Sequence, residues 1–318
     1  MSGYVYVGTA NYKPNELYVF YGRTHAEGPN NNIQINIQLF RPFDGADGDW
    51  SSLDGNVLFE ANCFLFGATV NYKAYLFGGV TQQGWDNPAS GSRFTQAVEF
   101  TPYSSWAGRN PLAVARSHAG SFALGNNVFI AGGYTNSIAG DTVRYNTVAD
   151  SYVTGYASMV NARQNFACFA GNNYGWAIGG WTGSNYLNTV EKFDDPGASW
   201  SVALTGPFSG RDKVRGGCAT GGKGSIFGGK VSGGAFLNQI LILDTVAQTI
   251  STSARTLITP VVDMAAAGLL DKVYAVSGQI KNNGTYRDVT RHDPLTDSVA
   301  TMEKIEDFRR NGALALTI

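Results

Sequence analysis

Few residues in this chain carry chemistry, and they lie far apart. The three histidines, His25, His118 and His292, fall in separate stretches, as do the three cysteines, Cys63, Cys168 and Cys218. Neither set has the short spacing of a zinc or redox centre, so no metal site and no cofactor are expected, and the thiols read as free. There is no Gly-x-Ser-x-Gly nucleophile elbow. The carboxylate pairs Asp47/Asp49 and Glu303/Glu306 read as solvated turn charges. No catalytic residue emerges from these patterns. What does recur is a cation near an aromatic ring: Arg116, Tyr134, Arg163, Trp181, Arg211 and Lys230, with Trp85 nearby. Aromatic faces beside guanidinium groups suit a sugar, a carboxylate or a peptide hot spot.

The chain that must position them has 318 residues, 43 % hydrophobic, which is enough to build a large core without staples. Charged residues make up 15 %, well below an average soluble chain, and Gly, at 40 residues, is about twice its usual share. A net charge of −1 argues against nucleic-acid binding by bulk charge. No apolar run is long enough for a transmembrane helix, so no membrane insertion is expected. The opening residues Met1-Ser2-Gly3-Tyr4 lack the basic-then-apolar pattern of a secretory leader, which leaves a virion or the cytoplasm as the expected location.

Short β-branched and aromatic runs separated by Gly, Asn and Asp replace any helical stripe. A small-residue pair closes one run in each unit: Gly78-Gly79, Gly132-Gly133, Gly179-Gly180, Gly228-Gly229 and the weaker Ser277-Gly278. Their second members are 54, 47, 49 and 49 residues apart. A second element follows each pair, as in Phe193-Asp194 with Trp200 seven residues past Phe193. Its equivalents run from Phe100 to Trp106, Tyr145 to Tyr152, Leu243 to Ile250 and His292 to Val299. A period of this size is the mark of a repeat architecture.

This set of signatures, in register over nearly the whole chain, resembles the kelch repeat. The resemblance implies an all-β fold in which each unit is a four-stranded antiparallel blade, a to d, of a propeller. The double glycine closes strand b, the aromatic-Asp pair closes strand c, and a Trp sits in strand d. Counting past the C-terminus and on from Met1 gives a sixth unit, with strand a from residues 312–318 and strand b ending at Gly8-Thr9. The expectation is therefore a single six-bladed domain over 1–318. Blade 1 is formed by 1–55 plus 310–318, and the ring is closed by the C-terminal strand pairing with the N-terminal ones, which leaves no open edge there. Phe43-Asp44 and Trp50 serve as the third and fourth strands of blade 1. Residues 11–32 then become an arm inserted in its b–c loop, carrying Tyr12, Tyr18, Tyr21 and His25 for assembly. Residues 81–95 are a smaller insertion in blade 2.

In such a meander the b–c and d–a loops share one face, and both insertions lie on it. Elaborated loops on a rigid scaffold are where binding residues concentrate. The residue after each small pair (Tyr134, Trp181, Lys230) and the first residue of strand a (Arg116, Arg163, with Arg211 beside them) ring that face. The alternative for the arginines is structural: their guanidinium groups bond neighbouring loop carbonyls at the rim. The structural roles read for the other signatures are tight backbone approach for the glycines, c–d turn organisation for the Asp residues, and packing between blades for Trp50, Trp106 and Trp200.

Three functions compete. The first is a non-catalytic structural or binding part of a virion, such as a phage tail or surface-attachment protein, that engages a neighbouring protein subunit or a host surface carbohydrate; Gly, Asn, Ser, Thr and Tyr richness with low charge motivates it. The second is a carbohydrate-binding or sugar-epimerising protein, since bacterial sialic-acid epimerases resemble this architecture. The third is an intracellular protein–protein adaptor, a common role of kelch propellers.

Overall fold

A computed structural model describes residues 5–7, 10–12, 16–20, 37–42, 47–53, 63–81, 91–281, 287–305 and 314–318. Among these residues, no helix is long and apolar enough to cross a membrane. The strands form six four-stranded antiparallel sheets, each a meander. In blade 3, for example, strand a is Gly120–Leu124, b is Asn127–Ala131, c is Thr142–Asn146 and d is Ser151–Val153. The patterning follows from position. Strand b is covered on both faces and is continuously apolar, as in Val128-Phe129-Ile130-Ala131. Strand d is outermost and mostly exposed. Strand a of every blade lines a central channel holding a cavity of about 350 Å³. Gly, Ala and Cys crowd this channel because the inner strands converge there. A Cβ on Gly217 would stand 2.5 Å from the Gly268 nitrogen of the next blade.

The ring closes as the sequence implies. Leu314–Thr317 is strand a of blade 1 and pairs with an N-terminal strand, Leu314 opposite Phe20 and Thr317 opposite Leu17. The N-terminal partner differs from the expectation, however. Strand b is Leu17–Phe20, not the segment ending at Gly8. Val5–Val7 pairs instead with Ala10–Tyr12 in a separate two-stranded hairpin. The reason is burial. Strand b must be apolar on both faces, and Leu17, Tyr18, Val19 and Phe20 all have zero exposure. The count round the termini had assumed no insertion at the junction. Tyr18 therefore belongs to the core rather than to an arm. Its hydroxyl donates to the buried Glu16 carboxylate at 2.6 Å, which also pairs with Arg41 at 2.9 Å and accepts from Tyr103 of blade 2 at 2.6 Å. Tyr12 lies in the small hairpin; Tyr21 and His25 lie outside the described residues. The c–d pairing of blade 1 joins Phe40 to Trp50, so Phe40 replaces Phe43 as the strand c aromatic; Phe43 and Asp44 are also outside the described residues.

The four glycine pairs fasten their blades to the next. Both residues of every pair have a positive φ, from Gly78 (59°) and Gly79 (100°) to Ser277 (58°) and Gly278 (128°). That twist turns the second N–H outward to the neighbour. Gly79, Gly133 and Gly180 donate to the carbonyls of Arg116, Arg163 and Arg211, each at 2.8 Å, and Gly229 donates to Val261 at 3.0 Å. The first glycine must lack a side chain, since a Cβ on Gly132 would stand 2.6 Å from the Arg163 carbonyl.

The remaining signature residues take their structural roles. Asp244 Oδ1 accepts from the N–H groups of Val246 and Ala247 across the c–d turn, and Asp293 does the same for Leu295 and Thr296. Trp200 packs on Phe122 and Phe129 of blade 3 and donates its indole N–H to Thr142 at 2.8 Å. Trp50 packs in the cluster holding Tyr274 and Val276 of blade 6. Trp106 is partly buried against Phe20 of blade 1.

Gly132→Ala imposes both a left-handed Cβ penalty of about 1–2 kcal/mol and a steric clash. Chemical denaturation should show a loss of at least about 2 kcal/mol. Ser277→Gly should instead gain up to about 1 kcal/mol, because the same strain is relieved and an unbonded buried hydroxyl is removed. Deleting residues 314–318 should lower the melting temperature sharply; an unchanged transition would refute closure through this strand.

Candidate binding face around the channel mouth

The b–c and d–a connections converge where strand a begins, at one mouth of the channel. The residue after each small pair bridges to the start of strand a in its own blade: Val80 to Cys63, Tyr134 to Ser117, Trp181 to Gln164, Lys230 to Asp212 and Gln279 to Val262. One residue further, Phe64, His118, Asn165, Lys213 and Asp263 all adopt φ between 53° and 56°. A chain of hydrogen bonds runs through these residues of blades 2 to 6. His118 N–H donates to Phe64 at 3.2 Å, Asn165 to His118 at 3.2 Å, Lys213 to Asn165 at 2.8 Å and Asp263 to Lys213 at 3.0 Å.

The three arginines expected to meet a ligand face inward. Arg116 is 3 % exposed, Arg163 0 % and Arg211 1 %. Each donates to the carbonyl of its own blade's first pair glycine: Arg116 to Gly132 at 2.7 Å, Arg163 to Gly179 at 2.8 Å and Arg211 to Gly228 at 3.4 Å. Each also reaches an acceptor near the start of strand c. Arg116 pairs with Asp141 at 2.6 Å, Arg163 with the fully buried Glu191, and Arg211 bonds Gln239 at 2.9 Å. These guanidinium groups thus bond loop carbonyls at the rim, the arrangement of the structural alternative. A guanidinium taken out of water needs its donors filled, and the loop carbonyls fill them.

What remains half-exposed on the face is aromatic and polar. The Trp181 and Tyr186 rings lie 4.6 Å apart at 53°. Tyr134 carries Arg93 over its ring at 5.2 Å. Lys230 is half-buried beside Asp212. Trp85 lies outside the described residues. Between the b–c loops of blades 4 and 5 runs a groove of about 440 Å³, lined by Ser184, Asn185, Tyr186, Ser209, Gly210 and Ser232 together with Val231. Hydroxyls, one amide and one aromatic edge form its wall, and no charged side chain does.

Towards the mouth the face becomes charged. Lys213 Nζ stands 3.4 Å from buried Asp263, and Arg215 stands 3.7 Å from it. Burial raises the Asp212 carboxyl to about 7, with Lys213 opposing and Asp263 reinforcing the shift. No motif or repeat position marks Tyr186, Lys213, Asp263 or Arg215 as site residues. Arg211, not Asp212, is the equivalent of Arg116 and Arg163 at the start of strand a, and Asp212 stands one residue further, in the place of Ser117 and Gln164.

Two other groupings are structural. Ser225 donates to His292 Nδ1 at 2.7 Å and His292 Nε2 bonds Asp297 at 3.1 Å, but Ser225 and His292 have zero exposure between blades 5 and 6 and no substrate can reach them. Burial lowers the His292 pKa and keeps the ring neutral. Cys168 and Cys218 line the channel as free thiols, and burial raises the Cys218 thiol to about 12, far from a reactive thiolate.

Residues 162–203, which span blade 4, match the family model described as the Kelch motif. The solved structure of YjhT superposes with a TM-score of 0.71 over 89 % of this chain and 97 % of that one, at 12 % identity. That likeness is one of fold. No curated protein matches the sequence significantly.

Arg163→Ala leaves Glu191 as an uncompensated buried charge. It should cost about 3–5 kcal/mol of stability in denaturant titration, whereas Tyr186→Ala should stay within about 1 kcal/mol. Asp212 has an ordinary value of 3.8 and holds its proton in the fold to about 7. The folded state thus binds more protons between those values, and this carboxyl's contribution to stability falls as pH rises through them. The melting temperature of Asp212→Asn relative to wild type should climb across that window and level off above it. A flat difference would contradict the shift.

Proposed function

From the premise that the chain is a kelch-repeat six-bladed β-propeller, we propose that it is a non-catalytic binding protein that engages a surface glycan through the face of blades 4 and 5. The observation carrying this reading is the groove there, walled by Tyr186 with Ser184, Asn185, Ser209 and Ser232, and backed by Trp181. Aromatic faces pack against the apolar side of a sugar ring while hydroxyl and amide groups take its polar edge. With Arg116, Arg163 and Arg211 turned inward, the groove has no charged side chain to offer an acidic peptide. The Gly-, Asn-, Ser- and Tyr-rich, charge-poor composition supports a place in a surface-attachment assembly such as a phage tail.

One observation favours a neighbouring subunit as a further partner. Strand d of blade 5, Thr249–Thr256, is the longest strand among the described residues and stands at the outer edge of its sheet. Such an edge can accept an added strand.

The test is binding of the full chain to a panel of bacterial surface polysaccharides and to whole cells. Wild type should bind, and Tyr186→Ala should weaken binding about tenfold or more with folding intact. Retention of full affinity in both Tyr186→Ala and Trp181→Ala would contradict the groove as the contact surface.

A further inference from the structure

Blades 4, 5 and 6 differ from blades 2 and 3 at the channel mouth. The equivalent pairs in the latter are Cys63-Phe64 and Ser117-His118, where the Ser117 hydroxyl and His118 Nδ1 satisfy each other at 2.9 Å and His118 stacks on Phe64 at 4.0 Å. In blades 4 to 6 the same places hold Gln164-Asn165, Asp212-Lys213 and Val262-Asp263, joined through the chain of backbone bonds described above. Gln164 and Asn165 are 7 % exposed, Asp212 6 % and Asp263 1 %. Yet Gln164 Oε1, Asn165 Oδ1, Asp212 Oδ1 and both Asp263 oxygens accept no hydrogen bond from a protein donor. Buried polar atoms left in that condition are rare, and several together in one sector mark a place built for something else to bond.

The two amide oxygens accept only, and the Asp212 carboxyl accepts once it ionises near pH 7, so the missing partner must donate. The flanking charges narrow it further. Lys213 and Arg215 stand 3.4 and 3.7 Å from Asp263, and these two cations disfavour a metal ion or an organic cation. An anion would meet the row of oxygens. A neutral hydroxyl donates to an oxygen and accepts from an ammonium or guanidinium at once, and adjacent ring hydroxyls do so repeatedly. The Arg211 N–H donates to the Leu187 carbonyl at 3.0 Å, which sets Tyr186 in the groove wall and Asp212 at the mouth on either side of one hydrogen bond, so groove and mouth adjoin.

We infer that the mouth sector of blades 4 to 6 is a subsite for one neutral sugar ring, with Gln164, Asn165 and Asp212 accepting its hydroxyl protons and Lys213 and Arg215, held by the buried Asp263 behind them, donating to its oxygens. This rests on the glycan reading and deepens it, since it assigns the ring that enters the channel mouth rather than the chain lying in the groove.

The experiment is saturation-transfer NMR on the full chain with the methyl glycosides of glucose, galactose and mannose, with glucuronate and spermidine as charged competitors. Asn165→Gly keeps the left-handed backbone and removes the amide, and Gln164→Ala removes its neighbour's acceptor. The expected result is binding of at least one neutral glycoside, weakened about tenfold in each variant, with thermal melting and Tyr186-dependent polysaccharide binding retained. Three results overturn the subsite while leaving the groove reading intact: polysaccharide binding without any glycoside binding, glycoside binding unaltered in both variants, or displacement of the glycoside by spermidine or glucuronate at lower concentration. If wild type binds neither polysaccharide nor glycoside, the glycan reading itself fails and the subsite with it.

Discussion

The architecture depends on one hydrogen bond made again at four junctions between blades among the described residues. The second residue of the small pair ending strand b turns its N–H out of its own sheet and donates to the first carbonyl of the next blade. That orientation needs two consecutive positive φ values, which glycine reaches without a Cβ penalty. The pair is thus at once the end of one strand and the clasp on the next. The spacing of the double glycines records the blade period for this reason.

The arginines belong to the same device. The Arg116, Arg163 and Arg211 backbones accept the clasp from the preceding blade, and their side chains reach the first glycine carbonyl and strand c of their own blade. One residue ties three chain segments together, which explains its place at the start of strand a. It also explains why the binding face is left to other groups. Once these cations are spent inside, the exposed chemistry is aromatic and hydroxylic in the groove and oxygen-rich at the mouth of blades 4 to 6.

The polar mouth and the apolar blades represent different uses of one scaffold. In blades 2 and 3 the positions at the mouth are satisfied by stacking and by each other. In blades 4 to 6 they carry acceptors and charges at a cost in stability, visible in the raised Asp212 carboxyl. Departures of this kind from internal satisfaction are what a binding site leaves on an otherwise repetitive fold.

Fold class, blade number and closure through the C-terminal strand were legible in the sequence, because the clasp demands glycine pairs at a fixed period and strands a to d have distinct burial. Trp50 and Trp200 announced themselves as packing residues for the same reason. The entry to blade 1 was not legible. Val5–Val7 and Leu17–Phe20 both read as strands, and only two-sided burial against strands a and c selects the second. Nor could sequence decide which way an arginine points. Arg163 and Glu191 are 28 residues apart and meet because strands a and c of one blade fold together. Tyr186, Asp212 and Asp263 come from three different blades, and only the circular order of the propeller brings them round one mouth.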